Sequence, residues 1–132
     1  MFKKKNECDE IRKISLLIGK EIKTLEKGVE YKIASITQNN VIFDKVETKT
    51  KIYVPREIFC NVRKDLTIDW IPIRPLKESS GTGYDGILKR YTPTMVSHIV
   101  APTLVKLGLC EVRKNEGKWE IKLEDFKKPV KS

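Results

Sequence analysis

Two groups of side chains in this 132-residue chain have the types and spacing to act on a polyanion. Thr94, Ser97 and His98 follow Thr92-Pro93, a pair suited to the N-cap and first position of a helix. Small donors and acceptors at a helix N-terminus suit base edges, and the helix dipole there favours a phosphate. Arg113, Lys114 and Lys118 belong to Arg113-Lys114-Asn115-Glu116-Gly117-Lys118, a basic turn between two strand-like runs. Such a cationic tip suits a phosphate backbone or a minor groove. Lys89 and Arg90, just before Thr92, and Lys106, near the far end of the same helix, could hold further phosphates.

Other chemistries are poorly provided for. Glu120-Ile121-Lys122 matches the Glu-x-Lys half of a metal-dependent nuclease, which needs an upstream acid such as Asp85 to share the metal. No Pro-Asp dipeptide accompanies it, and alternation puts Glu120 and Lys122 on the face opposite Trp119, Ile121 and Leu123. His98 is the one imidazole, and no Gly-x-Ser-x-Gly elbow occurs. Ser79-Ser80-Gly81-Thr82-Gly83 lacks the Gly-Lys-Ser/Thr ending of a phosphate loop and reads as a flexible connection. Cys8, Cys60 and Cys110 are far apart and odd in number, which predicts free thiols rather than a disulfide framework or a zinc site. No catalytic residue, cofactor or metal is assigned, and the protein is not expected to be an enzyme.

The elements that must position these groups follow from periodicity. Ile11, Ile14, Ile18, Ile22 and Leu25 predict a helix from Cys8 to Lys27, closed by Gly28. Three strands follow, over 31–36, 41–46 and 51–54, with polar turns between them and Pro55 as the stop. A short helix over 56–66, an extended stretch over 67–76 and a polar loop over 77–83 lead to a helix over 84–91. A longer helix from Thr92 to Leu107 carries Pro102 in its interior, which costs about 3 kcal/mol and predicts a kink at Ala101 or two short helices meeting there. A β-hairpin closes the series, with Leu109–Val112 and Trp119–Leu123 as its arms.

The order helix, tight turn, helix, charged hairpin resembles winged helix-turn-helix DNA-binding proteins. The likeness is carried by Thr92-Pro93-Thr94-Met95-Val96-Ser97-His98-Ile99, by Leu104-Val105-Lys106-Leu107-Gly108-Leu109 and by the hairpin through Trp119-Glu120-Ile121. The likeness covers residues 84–123; joined to the periodic elements before it, it gives an α+β chain, with a helix packed on a small antiparallel meander over 1–76 and a winged-helix-like element over 77–132, the two forming one compact unit. It also implies a recognition helix whose first residues read bases, with the hairpin as wing.

Charge agrees with a polyanionic partner. Lys and Arg outnumber Asp and Glu by 27 to 18, a net +9, and 39% of residues are hydrophobic, enough for a core. The expected function is nucleic-acid binding by a small transcriptional regulator or accessory protein, with double-stranded DNA as first partner. RNA, or a protein partner on the same scaffold, is the alternative. The first helix or a sheet edge leaves room for a homodimer. No apolar run reaches the roughly 18–20 residues that span a bilayer, and no signal-peptide core follows the basic start, so no membrane contact and a cytoplasmic location are expected.

Overall fold

The computed structural model describes residues 8–74 and 83–124. The polar loop expected over 77–83 lies outside them except for Gly83, as does the basic tail 127–132.

The chain is α+β, with two antiparallel sheets and five helices among the described residues. Helix α1 spans Asp9–Ser15. It stops well short of Lys27 because Leu16 to Gly19 turn the chain. Gly19 takes a φ of +89°, and its N–H donates to the Ile33 carbonyl at 2.8 Å. That bond carries the chain into strand β1 (Glu21–Lys23), so the second half of the expected helix is a strand. Ile11, Ile14 and Ile22 are buried as the periodicity required, whereas Ile18 is exposed in the turn. Gly28 does sit at positive φ, but in the β1–β2 loop, where its N–H donates to the Thr24 carbonyl.

Strands β2 (Glu30–Ile36), β3 (Asn40–Lys45) and β4 (Lys51–Pro55) lie within two residues of their expected bounds. With β1 they make a four-stranded sheet in the order β1-β2-β3-β4, one strand more than the expected meander. Tyr31, Ile33, Val41, Phe43 and Val54 point into the core. The β2–β3 register slips between Ile33 and Ser35.

Helices α2 (Arg56–Cys60) and α3 (Val62–Asp65) break at Asn61 and bury Ile58, Phe59 and Val62. Docking of α1 on α2 brings Cys8 and Cys60 into a disulfide, Cα atoms 5.8 Å apart. The expectation of three free thiols is thereby corrected: a contact across 52 residues leaves no local signature. Cys110 stays free and buried, its thiol pushed up to about 12 by burial and then by the nearby Glu124 carboxylate.

Strand β5 (Ile71–Pro72) and helix α4 (Tyr84–Leu88) precede helix α5 (Ser97–Lys106). Helix α5 begins four residues later than a Thr92 N-cap implies. Thr92 Oγ1 accepts from the Thr94 N–H in a local turn, and Val96 is the residue before the first helical turn. Pro102 lies inside one helix, not at a junction of two. The hydroxyl of Thr103 donates to the Ile99 carbonyl at 2.7 Å, one turn back. Strands β6 (Cys110–Asn115) and β7 (Lys118–Leu123) meet at Glu116-Gly117, both at positive φ (53° and 81°), as a two-residue hairpin turn requires. Strand β5 joins on the outer side of β7, giving the order β5-β7-β6. One buried cluster runs through both sheets, from Ile11 to Ile121.

Candidate nucleic-acid interface

Helix α5 is the element from which base reading was expected, and its composition decides its place. Ser97, Ile99, Val100, Ala101, Pro102, Thr103 and Leu104 are seven of its ten residues, and all are buried. Small and branched side chains on every face let neighbours approach from every side. Helix α5 accordingly packs on β1 of the first sheet and on β6 of the second. Only its C-terminal end, with Val105 and Lys106, is exposed.

The nine residues singled out for polyanion contact are therefore sorted by the fold. Ser97 is 1% exposed, beneath the surface rather than on it. His98 is half-buried, with its ring edge-on to Tyr31 at 5.9 Å. Burial lowers the His98 pKa from its ordinary 6.5; Arg74 and Lys45 act in the same direction, against Asp85. Thr94 is exposed in the irregular stretch before α5. Arg90 reaches Asp65 at 4.0 Å, and the same carboxylate accepts from the Tyr91 hydroxyl at 2.7 Å. Lys89, Lys106 and Lys118 are exposed and form no ion pair among the described residues.

The hairpin's cations divide between its two faces. On the outer face, Arg113 Nε donates to Glu120 Oε1 at 2.6 Å, and Lys122 lies 3.8 Å from Glu111. Both also cover the Trp70 ring, at 4.3 and 5.2 Å from its centroid. The Glu120 that a nuclease would need is thus held by Arg113, and Asp85 by Arg74 at 3.5 Å. No group of three or more His, Cys, Asp or Glu side chains suited to a metal gathers among the described residues. Lys114, on the other face, reaches Glu26 at 3.9 Å, and Trp119 Nε1 donates to the same carboxylate at 2.9 Å.

Glu26 thereby ties the β1–β2 loop to the hairpin across a cleft of about 410 Å³. The cleft lies at the start of α5. Ser97 and His98 form part of its wall, with Ile73 and Arg74 beside them, the loop 24–29 on one side and Gly117, Lys118 and Trp119 on the other. Three of the nine expected residues, Ser97, His98 and Lys118, are brought together here.

No family model, curated protein or solved structure matches this chain.

Lys27, Arg74 and Trp119 also line the cleft, and the sequence reading overlooked all three. Lys27 was assigned to the end of a helix that does not extend that far. Arg74 and Trp119 carried no signal beyond lying near Pro75 and on an apolar stripe. Among the described residues, no helix is long and apolar enough to cross a membrane.

Proposed function

We propose that this protein binds nucleic acid, DNA in the first place, through phosphate contacts at the cleft mouth and hairpin tip, as a sequence-tolerant accessory protein. The observation that carries this reading is the convergence of Lys27, from the β1–β2 loop of one sheet, and Lys118, the first residue of β7 in the other, on a cleft that also holds Arg74 and Trp119. Neither lysine has a carboxylate partner among the described residues, so both charges are available to a polyanion. Cations that track a backbone beside an aromatic ring suit strand binding without base readout. The net charge of +9 supports the same partner.

The element order supports the winged-helix resemblance: α4, α5 and a hairpin in succession, with the short β5 added beside β7. Burial of α5 favours a different use of that scaffold. A helix that reads a major groove needs a free flank, and the flank of α5 is covered by β1.

Fluorescence anisotropy with single- and double-stranded oligonucleotides of several sequences tests this, at salt between about 50 and 200 mM. Binding should weaken steeply with salt, vary less than about threefold between sequences, and fall in Lys27→Glu/Lys118→Glu. Salt-insensitive or absent binding at low salt would sink the proposal and turn the search to a protein partner. A strong preference for one duplex sequence would restore α5 as reader.

A further inference from the structure

The cleft has more structure than a phosphate track needs. Its apolar lining comes from Leu25, Val29 and Ile73, its aromatic surface from Trp119 and its cations from Lys27, Arg74 and Lys118. Its volume of about 410 Å³ falls in the range of pockets that enclose a small organic ligand. Ser97 stands at the first position of the ten-residue α5 and lines the cleft. It is 1% exposed, and its hydroxyl hydrogen-bonds to no described residue. Ser97 can therefore offer its hydroxyl, with the first N–H groups of α5, to an anion in the cleft.

We propose that the cleft is a pocket for a single phosphorylated nucleotide, its phosphate received by Ser97, Lys27, Arg74 and Lys118 and its base by Trp119 and the apolar wall. The proposal rests on the nucleic-acid reading above and deepens it. The nucleotide is either free or one unit of a single strand, and the chemistry of recognition is shared. An anion beside His98 favours the protonated imidazole, against the opposing charges of Arg74 and Lys45. Asp85, which acts on His98 in the opposite sense, is engaged by Arg74, and Glu26, which also lines the cleft, accepts from Trp119 Nε1 and lies 3.9 Å from Lys114.

His98 is the one histidine of the chain, so its ring-proton resonance reports on the cleft alone. The experiment is an NMR pH titration of the full chain with and without adenosine 5′-monophosphate. The same nucleotide is then titrated into Lys27→Gln/Lys118→Gln, whose fold is checked by circular dichroism. The His98 pKa should rise by about half a unit or more on binding, and the double variant should bind at least about tenfold more weakly. An unmoved His98, or equal affinity in the variant, overturns the proposal. So does equal affinity for adenosine, which removes the phosphate from the argument, or for inorganic phosphate, which removes the base. A single-stranded deoxyadenylate octamer separates the two sources. If it moves His98, the ligand is a strand unit. If it fails to bind while the monophosphate does, the pocket stands for a free nucleotide and the nucleic-acid reading falls. If it binds without moving His98, the pocket is overturned and the nucleic-acid reading stands.

Discussion

The β6–β7 hairpin carries similar side chains toward two different settings. On its outer face Arg113 and Lys122 sit across from Glu120 and Glu111, one residue opposite another, and both cations lie over Trp70. Where the hairpin meets the cleft, Lys118 has no carboxylate across from it, because its register partner is Asn115. Trp119, the next residue, faces Lys27 and Arg74 from other parts of the chain. A cross-strand ion pair on an exposed sheet contributes modestly and leaves little field for a ligand. The same lysine opposite an asparagine, beside a concave wall, keeps its field and concentrates it. Basic composition alone does not tell a salt-bridged cation from one without a partner; the cross-strand neighbour does.

The largest expected effect comes from the helix between the two sheets. Leu104→Ala should cost about 2–5 kcal/mol in chemical denaturation, because the side chain is wholly buried. A loss well under 1 kcal/mol would mean that α5 is open on one side, and would break the contrast between a covered helix and an available cleft. Reduction of Cys8–Cys60 comes next, lowering stability by about 2–4 kcal/mol. It should leave oligonucleotide affinity unchanged, since neither α1 nor α2 lines the cleft. An affinity that falls with the disulfide would make the N-terminal frame part of the site.

The hairpin comparison itself is sharpened by paired charge changes. Lys27→Glu/Lys118→Glu should weaken oligonucleotide binding at least tenfold, about 1.4 kcal/mol, in an anisotropy titration. Arg113→Gln/Lys122→Gln, on the salt-bridged face, should change it less than about threefold. The reverse ranking would assign the interface to the outer face. The smallest effect is a pH dependence. The folded pKa of His98 lies below its ordinary 6.5, so the unfolded chain takes up a proton first as pH falls. Stability should therefore drop as pH falls through about 6.5 and level off below the folded pKa. His98→Gln should remove that part of the slope between pH profiles of the denaturation midpoint, and an unchanged slope would mean that the imidazole is solvated.

Much of the fold was legible in local patterns. Alternation marks β2, β3 and β4 because a half-buried strand repeats every two residues, and the polar run from Arg113 to Lys118 marks a hairpin, although the strands extend through Asn115 and from Lys118 and leave only Glu116-Gly117 as the turn. The burial of Ile58, Phe59 and Val62 and of Ile99, Val100 and Leu104 also follows from spacing. The helix expected through Lys27 was misleading because Ile18, Ile22 and Leu25 continue a helical stripe. Gly19, inside that stripe, was the local signal that a turn intervenes. Thr92-Pro93 likewise offered a helix start that a local Thr92–Thr94 turn took up instead.

By itself the sequence determined the mixed α+β character, the positions of most strands, the hairpin and the positive charge, since each depends on neighbours a few residues apart. Only the tertiary structure decided the Cys8–Cys60 bond, the covering of α5 by β1, and which lysines keep an unpaired charge. Those depend on contacts between segments far apart in the chain, such as Glu26 with Trp119, and periodicity carries no record of partners chosen at that distance.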